Sequence, residues 1–364
     1  MGQMTGRLSH TPVKVRLLAL GTALLCASPH VQAAGEADGE RAAIEHCLEI
    51  IRPCQMSDGN IRVNGGGEAA WAVPYFGNLA AMALLAANDV RRNPEDVVRV
   101  GRWLSWYARH QEADGTICDC EGTASSCKSN GKRDSTDSYA ATFLMAVGRY
   151  TQALAKPPSA EILRAAAKAL AAVEAVVQDD GLTIAKPDYA IKYLMNNVEV
   201  HQGLTEGARL FASVGMEKES QKAAAMAARM AGSMGKFWSD RDACFAYALD
   251  TKDQGSGGLS DPYPHGLAQL FALSYMRPPR PGLWARVIRA FKPDDKGIPA
   301  ERWLIAAKRN AGSKELDELR RATINAALRF SGKDVYVGRP AMTVIALLDG
   351  TARFPDVPAS GANR

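Results

Sequence analysis

One loop recurs along this chain, and its period dictates the architecture. Ser57-Asp58-Gly59-Asn60-Ile61, Ala113-Asp114-Gly115-Thr116-Ile117, Asp179-Asp180-Gly181-Leu182-Thr183-Ile184 and Asp294-Asp295-Lys296-Gly297-Ile298 each set a tight acidic-glycine turn ahead of a hydrophobic residue. Ser239-Asp240-Arg241-Asp242-Ala243 and Ser331-Gly332-Lys333-Asp334 are degenerate versions. Between them lie alanine-rich stretches whose apolar residues recur every three or four positions, which is helical spacing, while strand-like alternation never lasts. A turn that returns once per pair of helices marks a structural repeat.

The pattern predicts helices at 38–52, 69–89, 94–112, 137–154, 160–178, 194–213, 217–237, 264–276, 281–292, 299–310, 313–329 and 339–349. The longer, turn-rich connection follows the first helix of each pair, and a shorter one, such as Asn88 to Pro94, follows the second. Six hairpins with alternating connections predict an all-α (α/α)6 toroid, an inner ring of helices inside an outer one, with short β-turn hairpins in the loops at one end. An open solenoid of helix pairs has the same period. In a toroid the long loops and the N-termini of the inner helices meet around a central cavity. Long loops in compact domains are commonly functional, so a site is expected among 114–136, 180–194 and 238–264.

The N-terminus follows another logic. Arg7, Lys14 and Arg16 precede a short apolar run, Leu17 to Cys26, and then Val31-Gln32-Ala33 before Ala34. That order is a secretory signal cut near Ala33, too short in its apolar part to span a bilayer. The expected organisation is a signal at 1–33, one domain at 34–354 and a flexible tail at 355–364. It carries the protein to the periplasm or outside the cell, with no stable membrane insertion once the signal is removed. The signal holds three of the 44 basic residues and none of the 39 acids, so the formal +5 falls to +2 in the mature chain. No basic stripe with interleaved aromatics argues for a nucleic-acid partner.

Six cysteines remain in the mature chain: Cys47, Cys54, Cys118, Cys120, Cys127 and Cys244. In an oxidising compartment disulfides are the first expectation, Cys47 with Cys54 and Cys127 with either Cys118 or Cys120. The C-x-C spacing and the lack of a nearby histidine argue against zinc. No metal or other cofactor is expected, since no phosphate loop, dinucleotide fingerprint, nucleophile elbow or zinc-protease motif occurs.

Three segments stand where a long loop feeds an inner helix: Asp134-Ser-Thr-Asp137-Ser-Tyr139, Tyr193-Leu-Met-Asn196-Asn197-Val-Glu199 and Pro262-Tyr263-Pro264-His265. They resemble stretches of the six-hairpin glycosidase-like proteins of bacteria. That resemblance covers most of the mature chain and implies the toroid and carbohydrate chemistry, with a carbohydrate as the substrate. The family pattern has an acid where this chain has His265, and often another where it has Asn196. Trp103-Leu-Ser-Trp106 through Asp114-Gly115 also resembles the repeat of triterpene cyclases, but Asp134-Ser-Thr-Asp137 lacks the adjacent aspartates such enzymes use.

Hydrolysis of a glycosidic bond needs one acid to protonate the leaving oxygen and one carboxylate to activate water or attack the sugar. Asp134 and Asp137 head the fourth helix, a spacing that equally suits capping. The helix dipole favours their ionised form, which suits a base or nucleophile. Glu199 lies about a turn into its helix, where burial raises a carboxyl pKa and suits a proton donor. Asp261, before Pro262, reads as a helix cap and as a further candidate; Asp119 and Glu121, on the cysteine-bearing loop, rank below these. Trp71, Tyr75, Tyr139, Tyr193, Tyr263 and Tyr336 stand at the same junctions and offer flat surfaces for sugar rings, although aromatics also fill cores. Tyr263 with His265, and Asn197 or Arg339 neutralising a uronate, would make a lyase instead. A noncatalytic glycan binder is the third reading.

Overall fold

A computed structural model describes residues 29–66, 69–123, 126–154, 156–250, 252–293, 297–332, 335–348 and 357–358. Most of the expected leader, most of the expected tail, and Asp294–Lys296 and Lys333–Asp334 of the repeated loops lie outside these residues. Twelve α-helices occur among them: α1 Pro29–Ile51, α2 Pro74–Arg91, α3 Pro94–His110, α4 Asp137–Ala153, α5 Ala160–Glu174, α6 Leu194–Ser213, α7 Glu217–Ser233, α8 Leu267–Tyr275, α9 Leu283–Ala290, α10 Ala300–Asn310, α11 Ser313–Ala327 and α12 Gly338–Leu347. None is long and apolar enough to cross a membrane.

The even-numbered helices form the inner ring. Each packs on the next, and α12 packs back on α2, so the array is a closed toroid and not a solenoid. Ring position explains composition. The inner α2 is buried without interruption from Gly77 to Ala87, whereas the outer α3 buries Trp103, Leu104, Trp106 and Tyr107 and leaves Arg102 and Arg109 exposed. Each large apolar side chain removed from water contributes on the order of 1.5–3 kcal/mol. Close crossings need small residues: a Cβ at Gly203 of α6 would stand 2.5 Å from the Ala141 carbonyl oxygen of α4, and one at Gly77 would enter the Trp103 ring.

The recurrent loop acts as a clasp between hairpins. Asp58, Asp114 and Asp180 each accept, through Oδ1, the backbone N–H two residues on. The following glycine has positive φ in every copy, 100° at Gly59, 84° at Gly115 and 85° at Gly181. A Cβ on Gly59 would stand 2.6 Å from the Arg102 oxygen in α3, and one on Gly115 only 2.1 Å from the Lys168 oxygen in α5. Gln55 and Gln111 then donate to the Arg99 and Ala165 carbonyls of those same helices, at 2.7 and 3.1 Å. Each loop thus seats against the next outer helix, and glycine is required by conformation and by contact together.

The structure corrects the sequence reading in several places. Residues 69–72 are not helical: they form a strand, β1 (Ala69–Ala72), paired antiparallel with β2 (Cys120–Thr123), which pairs with β3 (Ser126–Ser129). The loop after α3 is therefore a hairpin laid over the entrance to α2. Cys120 and Cys127 form a disulfide between its strands, whereas Cys47 and Cys54 are free, buried thiols. Cys54 Sγ instead donates to the Ile50 carbonyl, and burial pushes its pKa up to about 11 and that of Cys47 to about 12. Helix α8 starts at Leu267, because Tyr263 is extended and the chain reaches the helix through a wide turn over Pro262–Gly266. Val357–Pro358, within the expected tail, pair in parallel with Met276–Arg277. Two of the long loops are tied by buried Lys192, which bonds Asp180 and Asp253 at 2.8 Å each.

Candidate active site

The N-termini of the inner helices surround a cavity of about 580 Å³ at the end bearing the hairpin. Tyr75 enters it from the first turn of α2, Tyr139 from that of α4, Arg302 from that of α10 and Glu199 from the second turn of α6. Phe76, Leu267 and Phe271 supply apolar wall, and Asp119 and Asp134 descend from the loops.

Two carboxylates are each held by a tyrosine. The Tyr75 hydroxyl donates to Glu199 Oε1 at 2.6 Å, and the Tyr139 hydroxyl to Asp119 Oδ1 at 2.9 Å. The two rings lie 6.4 Å apart, centroid to centroid, at 31°. Burial raises the Glu199 pKa above the usual range, against the opposing bond from Tyr75. Burial also pushes Asp119 up to about 6, aided by the negative charges of Asp134 and Glu121. The hairpin fixes Asp119 through its backbone, which donates to the Lys132 carbonyl and accepts from Asn130 N–H. Asp134 is exposed and stands on a rim shared with a second cavity of about 490 Å³. Tyr189, Tyr193, Tyr247 and Tyr263 line that cavity with Lys186, and the Tyr189 and Tyr193 hydroxyls lie 3.2 Å apart.

Other expected residues are placed elsewhere. Asp137 is fully buried and lines neither cavity. It accepts from Thr183 Oγ1 at 2.9 Å, Asn196 Nδ2 at 3.0 Å and Ser138 N–H at 2.7 Å. Burial pushes its pKa up to about 7 despite those bonds, in the direction opposite to the one expected from the helix dipole. Asp137 orients Asn196, which does line the cavity. Asn197 bonds Thr183 through both its oxygen and its nitrogen and so pins a loop. Arg339 holds Glu301 at 2.8 Å and lies over Phe330. Asp261 does not cap with its side chain; it accepts from Ser260 and faces His265 at 3.6 Å. His265 packs at the edge of Tyr247, 4.8 Å between centroids, and lines neither cavity. Trp71 and Tyr336 are exposed at the mouth, and Tyr336 stacks on Phe76 at 6°.

Arg302, Phe271 and Asn196 are site residues that sequence reasoning did not select, and Asp119 is one it ranked low. For Arg302 a signal existed: it is the third residue of its inner helix, as Tyr139 is of α4. No cluster of three or more metal-ligating side chains occurs among the described residues.

A closed double ring of helical hairpins with an acidic, aromatic cavity at one end is the six-hairpin glycosidase-like (α/α)6 toroid. No protein-family model matches the chain, and no curated protein matches it in sequence. Among solved structures it is similar to a rhamnosidase from Klebsiella oxytoca with rhamnose bound, at 12% identity and TM-score 0.59, over 86% of this chain and 64% of that one. The chain thus spans just under two thirds of that rhamnosidase. It is likewise similar to a glycosidase, at 13% identity and TM-score 0.58 over 90% of this chain and 100% of that one. An α-amylase from Clostridium perfringens matches at 9% identity and TM-score 0.54, over 84% and 97% of the two chains. At such identities the likeness is one of fold, and the chemistry rests on the site.

Proposed function

We propose that this protein is a glycoside hydrolase acting on an oligo- or polysaccharide. One observation carries the reading: a single cavity gathers Glu199, Asp119 and Asp134, with buried Glu199 and half-buried Asp119 each gripped by a tyrosine hydroxyl. Glu199, whose pKa burial raises, is the proton donor to the leaving oxygen. Asp119, with Asp134 beside it, is the opposing carboxylate that activates water or attacks the sugar. The aromatic walls seat the sugar rings, and the adjoining tyrosine-lined cavity takes the next residue of the chain across the rim at Asp134. The N-terminal pattern ending at Ala33 supports export as the setting.

The parts a lyase would need are dispersed, because His265 lines neither cavity and Arg339 and Asn197 are engaged with Glu301 and Thr183. Incubation with a panel of bacterial and plant polysaccharides, following reducing ends and ultraviolet absorbance together, tests the assignment. Reducing ends should appear without an unsaturated product. Glu199→Gln and Asp119→Asn should each lower the rate by about 100-fold or more. Near-normal rates in both variants sink it, and tight binding without turnover favours a noncatalytic glycan binder.

A further inference from the structure

Resting on the reading of this cavity as a sugar site, we infer that the sugar bound beside Glu199 carries a carboxylate, and that Arg302 receives it. Arg302 lines the cavity half-buried, its guanidinium 4.4 Å above the Phe271 ring. Among the described residues no carboxylate comes within ion-pair distance of it and no acceptor within hydrogen-bond distance. The surrounding groups are Tyr75, Tyr275, Glu199 and Glu301, all at longer range. Glu199 accepts at Oε1 from Tyr75, and Glu301, the neighbour in sequence, is held by Arg339.

Several other half-buried arginines of this chain are held by carboxylates: Arg52 by Asp96 and Glu45, Arg99 by Asp96, and Arg320 by Glu40. A guanidinium presents N–H donors in a rigid, planar fork, and charged donors pair best with charged acceptors. Its place over Phe271 holds the guanidinium at the cavity wall, where its donors can take a planar anion. A neutral sugar offers single hydroxyls, whereas a uronate offers two coplanar oxygens and a charge that match the fork in two parallel bonds. Arg302 thus takes the part that the lyase reading gave to Asn197 or Arg339, and it points to a uronate as the residue that occupies the inner cavity.

The test compares methyl glycosides that differ only at C6, by titration calorimetry of the intact protein: glucuronide against glucoside, and galacturonide against galactoside. At least one uronide should bind about tenfold or more tighter than its neutral twin. Arg302→Gln should erase that preference, and Arg302→Lys, which keeps the charge but loses the fork, should retain only part of it. Equal affinities in the unmodified protein overturn the inference, as does failure of both uronides to bind. A preference that persists in an Arg302→Gln protein of unchanged melting overturns it too, and tighter binding of glucose 6-sulfate than of glucuronate overturns the choice of carboxylate. Turnover of neutral glycans alone defeats this inference and leaves the hydrolase reading standing. Uronide binding without turnover does the reverse.

Discussion

Asp137 shows how burial reverses a rule that works at the surface. As the first residue of α4 it should be held ionised by the helix, yet its pKa is pushed up to about 7 from an ordinary 3.8. The folded protein therefore binds this proton more tightly than the unfolded chain does between about pH 4 and 7. Stability from this group is present at low pH and is lost as pH rises through that window, by up to about 4 kcal/mol. Asp119, pushed up to about 6, contributes in the same direction over a narrower range. Urea melts at pH 5 and pH 8 should show the lower stability at pH 8, and Asp137→Asn should flatten the difference. Parallel behaviour of the variant and the parent would contradict the assignment. At this scale sequence located the helix start but not the phase of its side chains. Asp134, Asp137 and Tyr139 are all legible as a helix entrance, whereas which of them faces the cavity is set by how α4 lies against α6. Glu199 was legible because it lies about a turn into an inner helix, and α6 is buried without interruption from Asn197 to Leu204.

Among the elements, the repeated loops were legible because their requirement is local: aspartate closes the turn, glycine supplies positive φ, and the following hydrophobic residue anchors the exit. The strand at Ala69–Ala72 was not legible, since its alanines favour helix and its pairing partner lies some fifty residues on, at Cys120–Thr123. Inner-helix crossings lie between these cases. Small residues signal close approach without saying where it falls. The α4–α6 crossing is tightest at Gly203, where an added methyl would stand 2.5 Å from a backbone oxygen that no rotamer change can move. Gly203→Ala should therefore destabilise the protein by about 1–3 kcal/mol. Gly232 in the outer α7 has nothing within 4 Å of its would-be Cβ. There the same change should stabilise by about 0.5–1 kcal/mol, by removing freedom from the unfolded chain. Denaturant midpoints for the two variants check the pair, and shifts of the same sign would refute the distinction.

For the whole molecule, closure is a property of the last contact and has no local signature, which is why sequence could offer the ring and the solenoid together; the packing of α12 on α2 decides it. Closure also divides labour. The ring supplies stability together with Tyr75, Tyr139, Glu199 and Arg302, and the strands and loops at one end add Asp134 and Asp119, the latter carried by the hairpin that the Cys120–Cys127 bond staples. That bond spans a sequence separation of only 7 residues. Its chain-entropy contribution is about 2 kcal/mol, and in a domain this large that amounts to a few degrees of melting temperature at most. Its effect on Asp119 should be greater, because a carboxylate displaced by about 1 Å costs about 100-fold in rate. Replacing both cysteines by serine should thus lower kcat/KM by about tenfold or more while a single cooperative melt persists within a few degrees of the parent. Unchanged activity would show that the ring alone positions Asp119, and loss of the cooperative melt would show that the hairpin belongs to the folding core.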